Sequence, residues 1–144
     1  MKIVIEKLKK EDLKDAILVY DENHNSITNY DKLYKVYTEI YENPLYHNFV
    51  AKADDKIVGL ATIILNYDIV DDLKPFLTVW NFGIKETYRR KKIGTKMFQH
   101  ILEFAEKYEC SFISLLAEKE NIGAQLFYEK MGFSKEVGYV KFLN

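Results

Sequence analysis

The feature that most constrains the fold is a strand-length apolar segment, an amphipathic helix and a second apolar segment, in that order, over residues 76–117. Residues 76–84 predict a long strand, residues 92–108 repeat apolar side chains at the helical period, and residues 112–117 form a run typical of a strand buried on both faces. A helix that joins two strands of one sheet normally makes a parallel, right-handed crossover. The chain therefore predicts a sheet with helices packed on it.

The rest of the chain extends this pattern without a linker or a repeat. Short apolar segments predict a first strand at residues 3–6, a hairpin of residues 46–53 and 56–67, and a last strand at residues 137–143. Helical spacing predicts helices from about residue 11, over residues 33–40, and from Ala124 to Met131, with Gly132 as a left-handed cap. We predict a single α/β domain over residues 1–144, with a mixed sheet.

Composition excludes several classes of protein. The 21 basic residues nearly balance the 22 acidic residues, so the chain lacks the overall positive field of a nucleic-acid or anionic-membrane binder. A single cysteine, Cys110, excludes an intrachain disulfide, and we interpret it as a small buried hydrophobe. The three histidines do not have metal-ligand spacing, so we expect no metal.

The chain also lacks the usual signals for export or membrane insertion. The apolar segment at its N-terminus is too short and too charged for a secretory signal. No apolar run approaches the roughly 18 residues of a membrane span. We therefore expect a cytoplasmic protein with no membrane partner.

A cluster of four cations, Arg89 to Lys92, stands between the predicted strand 76–84 and the next helix. It contains both arginines of the chain. Free N–H groups and the helix dipole make a helix N-terminus a site for anions and disfavour positive charge there. Cations at this end of a helix, followed by Gly94, indicate a bound polyanion such as a pyrophosphate. A solvated surface turn explains the charges equally well, and a nucleic-acid patch is a third interpretation that lacks an accompanying aromatic platform.

A second informative segment covers residues 121–133. Asn121 directly follows the apolar run and suits the N-cap of a helix. Tyr128 shares a helical face with Ala124 and Met131, and this spacing by itself favours a tyrosine of the core.

Together, these two segments resemble the GNAT superfamily of N-acetyltransferases. That family carries R/Q-x-x-G-x-G/A between its fourth strand and third helix, and here Arg89, Lys92 and Gly94 occupy these positions. It also carries N-x-x-A-x-x-F-Y-x-x-x-G-F after its fifth strand, and residues 121–133 match every fixed position. The order of strands and helices extends the resemblance over nearly the whole chain. It implies a mostly antiparallel twisted sheet with helices on both faces.

The resemblance implies transfer of an acetyl group from acetyl-CoA to a primary amine, by direct attack in a ternary complex. Pantetheine would add to the strand edge at residues 82–84, and a backbone N–H near Phe82 would polarise the thioester carbonyl. Tyr128 would protonate the leaving thiolate. The implied acetyl-CoA contacts are Phe82, Gly83, Ile84, Arg89, Arg90, Lys91, Lys92, Ile93, Gly94, Thr95 and Asn121.

Two departures from the family pattern leave alternatives open. Lys92 stands where the family usually has glycine, and residues 76–85 lack the carboxylate that often serves as the base. Glu118, Glu120 and Asp68 are candidate bases by position only. A non-catalytic acyl-CoA-binding sensor with the same fold is therefore a second hypothesis. The acceptor amine is not specified, and neither a monomer nor the homodimer common in the family is favoured.

Overall fold

The computed structural model describes residues 1–143, except for the side chain of Asp71. These residues form two compact units, Met1–Ser114 and a second that begins at Leu115. The strands and helices, in chain order, are β1 Ile3–Lys7, α1 Leu13–His24, α2 Tyr30–Ile40, β2 Tyr46–Ala53, β3 Lys56–Asn66, β4 Phe76–Ile84, α3 Ile93–Lys107, β5 Ile113–Leu115 and α4 Ile122–Lys130.

The five strands form one sheet in the order β1-β2-β3-β4-β5. The pairs β1–β2, β2–β3 and β3–β4 are antiparallel. Two hydrogen bonds join the start of β4 to the segment that leads into β5, from Ser111 N to Pro75 O and from Leu77 N to Phe112 O. Because the residue numbers increase in the same direction along both segments, this pair is parallel. The helix between the two strands predicted this arrangement. The predicted mixed, mostly antiparallel sheet is confirmed.

Helices cover both faces of the sheet in the first unit. Phe49 of β2 contacts His100 of α3, with ring centroids 4.9 Å apart. The next residue, Val50, belongs to a buried cluster with Leu13 and Val19 of α1. Since neighbouring residues of a strand point to opposite faces, α3 packs on one face and α1 on the other.

A glycine sets the close approach of α3 to the sheet. A Cβ placed on Gly59 of β3 would lie 2.9 Å from Met97 Sδ and 3.0 Å from Ile84 Cδ1. Glycine therefore lets the buried face of α3, which includes Met97, lie directly on the strands.

Two sequence expectations are wrong. The strand expected to be buried at residues 112–117 is limited to Ile113–Leu115, with all three residues half-buried. This strand lies at the edge of the sheet, because no strand of the described residues follows it in the strand order. Residues 137–143 form no strand, and Tyr139 is 93% exposed. An alternating apolar pattern becomes a strand only where a neighbour pairs with its backbone groups.

Candidate active site

A β-bulge interrupts β4 two residues before Ile84, where the strand ends. Leu60 pairs with Gly83 and Thr62 pairs with Trp80, so Asn81 and Phe82 together oppose the single residue Ala61. Asn81 has a left-handed backbone, with a φ of 55°. A residue of this conformation typically opens such a bulge, and Asn tolerates it better than most residues with a Cβ. The bulge thus lies at Asn81 and Phe82, whereas Gly83 is paired regularly with Leu60.

Gly83 instead provides space for helix α1. A Cβ on Gly83 would lie 2.6 Å from Asn23 Nδ2. This amide nitrogen donates to the carbonyl of Ile84 at 3.3 Å, so the missing side chain lets Asn23 reach the end of β4.

Arg89 completes a small network at the same place. Its Nε donates to Ile84 O at 3.2 Å, and its Nη2 donates to Asn23 Oδ1 at 2.7 Å. The arginine expected to act as a phosphate-binding cation thus also fixes the end of β4 against α1. Its guanidinium adds a positive charge beside the turn.

The turn between β4 and α3 has the backbone of an anion site. Arg90 and Lys92 are both left-handed, with φ values of 63° and 62°, whereas Lys91 between them is not. Such alternation aims successive N–H groups into one concavity. Among the described residues, the N–H groups of residues 90–95 donate to no main-chain carbonyl. The first N–H after Arg89 to do so is that of Lys96, which donates to Lys92 O. The first turn of any helix likewise has no acceptor of its own for its N–H groups.

The charges at this helix start are not neutralised locally. The first turn of α3 contains no acidic residue, and the side chain of its N-cap, Lys92, makes no capping hydrogen bond. Arg90, Lys91 and Lys92 are all exposed. The dipole of α3 and three exposed cations therefore favour the same ligand, an anion with several oxygens.

The sheet face on the α1 side of the bulge carries a hydrogen-bonded row of polar side chains. Thr62 Oγ1 donates to Asn48 Oδ1 at 2.6 Å, and Asn81 Nδ2 donates to Thr62 Oγ1 at 3.3 Å. Further along this face, Asn66 Nδ2 donates to Thr78 Oγ1 at 2.8 Å. Trp80 is 46% exposed beside this row.

The second unit contains the other predicted site residues on α4. Asn121 is the N-cap, and its Oδ1 accepts from Ala124 N at 3.0 Å. At the other end, Phe133 N donates to Tyr128 O and Gly132 N donates to Glu129 O, with a φ of 96° at Gly132. These two bonds form a Schellman cap, so the predicted left-handed glycine is confirmed.

Tyr128 lies among aromatic rings. Its ring centroid is 5.6 Å from that of Phe127 and 6.0 Å from that of Phe133. Burial raises the pKa of the Tyr128 hydroxyl, so this group stays protonated at neutral pH and can donate a proton.

Comparison with known families agrees with this arrangement. A model described as "Acetyltransferase (GNAT) family" matches residues 18–133, which include β2 to β4, the turn, α3 and α4.

The chain belongs to the GNAT family.

Individual relatives are distant. The chain is 44% identical over 59 residues to "Probable N-acetyltransferase san" of Drosophila melanogaster, a match that covers 40% of this chain and 32% of that protein. The chain spans from about a third to three fifths of the length of the curated relatives it matches.

Solved structures share the whole fold. A "Putative acetyltransferase" from Agrobacterium tumefaciens superposes with a TM-score of 0.90 at 20% identity, covering 98% of this chain and 99% of that one. Glucosamine-6-phosphate N-acetyltransferase from Arabidopsis thaliana gives a TM-score of 0.85 at 18% identity and full coverage of both chains. At these identities the similarity establishes the fold.

The structure accounts for the departure at the glycine position of the GNAT motif. Lys92 retains the left-handed backbone that favours glycine there, with φ 62° and ψ 15°. Lys92 thus has the backbone conformation that a glycine at this position would adopt easily, and its side chain adds an exposed ammonium to the turn.

Sequence reasoning missed two residues that shape the bulge and the end of β4, Asn23 and Asn81. Asparagine is uncommon within strands, so its occurrence in the apolar segment 76–84 was a usable signal for a break in β4. The role of Asn23 has no local signal, because its partners Ile84 and Arg89 lie more than 60 residues away.

The candidate bases receive little support. Asp68 Oδ1 accepts from Val70 N at 3.2 Å and so shapes a turn, while Glu118 and Glu120 are exposed. Burial raises the pKa of the Cys110 thiol, which makes it a poor nucleophile at neutral pH.

Among the described residues, no group of three or more His, Cys, Asp or Glu side chains is arranged to hold a metal ion. None of the helices described combines the length and apolar character needed to cross a bilayer.

Proposed function

We propose that this chain transfers an acetyl group from acetyl-CoA to a primary amine, with residues 1–144 as one N-acetyltransferase domain. The observation that carries the proposal is the turn at residues 85–92. It places unpaired N–H groups and exposed cations at the start of α3, directly after the bulged end of β4.

The turn suits the diphosphate of CoA. The backbone N–H groups of residues 90–95 would hold its oxygens, and the cations of Arg90, Lys91 and Lys92 would lower the cost of bringing two negative charges to the helix start. Asn121 is a further proposed contact to the CoA arm, through the part of its amide that does not cap α4.

The strand end suits pantetheine. β5 has three residues after Phe112, which pairs with Leu77, so it can accompany β4 only as far as Trp80. The β4 edge at residues 81–84 is therefore the proposed place where pantetheine adds itself through main-chain hydrogen bonds. At the bulge, a backbone N–H near Phe82 would polarise the thioester carbonyl, a role typically worth about 3–4 kcal/mol.

The reaction then needs three proton transfers. The neutral amine nitrogen attacks the thioester carbon, the C–S bond breaks, and the sulfur takes a proton from the Tyr128 hydroxyl. The nitrogen of the new amide gives up one proton, which returns through water to the Tyr128 oxygen. The amine must first lose its own proton, which costs roughly 4–5 kcal/mol at pH 7 for an alkyl amine. Water is the proposed immediate acceptor of that proton, since β4 provides no carboxylate.

Two measurements test the proposal in sequence. Calorimetry should show that acetyl-CoA binds much more tightly than S-acetylpantetheine, which lacks the diphosphate. A thiol-detection assay with a panel of small amines, peptides and amino sugars should then show CoA release that depends on the amine. Binding without turnover on any amine would support the sensor hypothesis instead, and failure to bind acetyl-CoA would reject both.

A further inference from the structure

We infer that the polar row on the sheet face beside the bulge is the floor of the acceptor site, and that it selects a primary amine carried by an uncharged scaffold with hydroxyl or amide groups. This inference rests on the proposed function, because the bulge is taken as the place of acyl transfer.

The row fixes the orientation of the Asn81 amide. The hydroxyl of Thr62 donates its only proton to Asn48 Oδ1, so its oxygen accepts from Asn81 Nδ2. This leaves Asn81 Oδ1 as the outer end of the amide. Asn81 is exposed, and no partner for Oδ1 occurs among the described residues.

The position of Asn81 connects this oxygen to the chemistry. Asn81 is the first residue of the bulge, and the peptide N–H of the next residue, Phe82, belongs to the group proposed to hold the thioester carbonyl. An amine about to attack that carbonyl carbon carries N–H groups that need an acceptor. Asn81 Oδ1 is a neutral acceptor one residue away, and it would orient the lone pair of the nitrogen toward the carbon.

The residues of the same sheet face also indicate the charge of the rest of the acceptor molecule. Its alternate positions, from Tyr46 to Val50 on β2, Leu60 to Asn66 on β3 and Phe76 to Trp80 on β4, hold no charged residue.

Three acids of the surrounding elements already have partners. Glu6 and Asp12 bind Lys52 at 2.7 and 3.2 Å, and Asp21 accepts from Ser26 and Thr28. A second charge on the acceptor would therefore be desolvated here without a partner, which is costly.

Neutral polar groups fit this face better. The Asn48 amide can donate from Nδ2, because its Oδ1 already accepts from Thr62. The exposed part of Trp80 offers an apolar wall for a sugar ring or a peptide backbone. The common chemistry is thus an amine close to hydroxyl or amide groups.

Matched pairs of acceptors test the selectivity. The pairs are glucosamine with glucosamine 6-phosphate, and Ser-Ala-Ala amide with Ser-Lys-Lys amide, each assayed by CoA release. In every pair that turns over, we expect the neutral member to have a kcat/KM about tenfold or more above that of the charged member. A preference for the charged member would overturn the inference, and the two pairs separate a sugar from a peptide scaffold.

A substitution at Asn81 tests the floor itself. Asn81→Gly removes the amide while keeping a residue that accepts a left-handed backbone. We expect kcat/KM for the neutral acceptor to fall about tenfold or more, the usual loss for one hydrogen bond in a reacting complex, while acetyl-CoA affinity measured by calorimetry stays the same. Thr62→Val, which removes the hydroxyl that orients Asn81, should lower kcat/KM in the same direction.

Glu109→Gly is the matched control, since Glu109 is also left-handed and exposed but follows the C-terminal end of α3. It should change neither quantity. Acceptor kinetics that Asn81→Gly leaves unaltered would overturn the inference alone. Turnover of other amines of the panel but of none of these four would also overturn the inference alone. Acetyl-CoA binding without turnover of any amine, these four included, would overturn the proposed function and the inference together.

Discussion

At the scale of single residues, three strained backbone positions lie at the candidate site. Asn81 in the bulge of β4, and Arg90 and Lys92 in the turn that follows the strand, are left-handed residues with a Cβ. Each such residue costs roughly 1–2 kcal/mol relative to a right-handed conformation. Strain of this kind persists where the surrounding structure imposes it and is common at ligand-binding sites. Here it aims N–H groups outward, so it serves the proposed diphosphate site.

Lys92 allows a direct measurement of this strain. Lys92→Gly and Lys92→Ala both remove the ammonium, but only glycine adopts φ 62° without steric cost. We expect the glycine variant to have a free energy of unfolding about 1 kcal/mol higher than the alanine variant, by urea denaturation. Equal stabilities would mean that the backbone at residue 92 is not left-handed in solution.

The Tyr128 hydroxyl is the proposed proton donor, and its raised pKa suits that role. Tyr128→Phe should lower kcat well over tenfold with little change in acetyl-CoA affinity, because only protonation of the leaving thiolate is lost. Pre-steady-state measurement of CoA release gives the rate of the chemical step. An unchanged rate of that step would remove Tyr128 as the general acid.

At the scale of elements, helix α2 is tied to the chain before α1 by one buried hydrogen bond. The Tyr37 hydroxyl donates to Leu8 O at 2.7 Å, and both residues are at most 5% exposed. Burial raises the pKa of Tyr37, so this hydroxyl keeps its proton throughout the neutral range. The bond fixes the position of α2 without involving the site residues.

Tyr37→Phe should therefore lower the free energy of unfolding by about 1–2 kcal/mol, because it leaves the buried Leu8 carbonyl without its donor. Acetyl-CoA affinity should not change. Tyr34→Phe is the control, since Tyr34 lies on the same helix and is 43% exposed. If both variants were equally stable in chemical denaturation, the bond would contribute nothing.

At the scale of the whole molecule, stability should depend on pH through His47. Burial is the main cause that lowers the pKa of His47 below its usual 6.5, and the charges of Lys7 and Lys107 add to it, while a 2.7 Å hydrogen bond to Pro44 O opposes them. The unfolded chain therefore binds the proton at a higher pH than the folded chain does. Stability from this group is complete above about pH 6.5 and falls as the pH drops through the folded pKa.

Urea denaturation at pH 7.5 and pH 5.0 measures this loss. His47→Gln keeps a donor for Pro44 O but cannot titrate, so we expect it to lose less stability than the native chain over this interval. The exposed His24, changed to Gln, serves as the control and should behave like the native chain. A native loss that His47→Gln does not reduce would contradict the assignment.

Much of the fold follows from local pattern. The apolar periods of β2, β3, β4 and α3 predicted those elements to within about one residue, because burial on a sheet or a helix face dictates the spacing of apolar side chains. The position of the cationic turn and the glycine cap of α4 also depend only on neighbouring residues. The same reasoning failed for residues 137–143, where an apolar pattern occurs without a pairing strand.

The sequence by itself thus determined the order of the elements as far as α4, the family motifs and the place of the cationic turn, since each is a property of contiguous residues. Tertiary structure decided the bulge at Asn81, the network of Asn23, Ile84 and Arg89, and the contact of Thr62 with Asn48. These features arise where β3 pairs with β2 and β4 and where α1 docks on the sheet. Hydrogen bonds between distant residues depend on that register and docking, and no local pattern encodes either one.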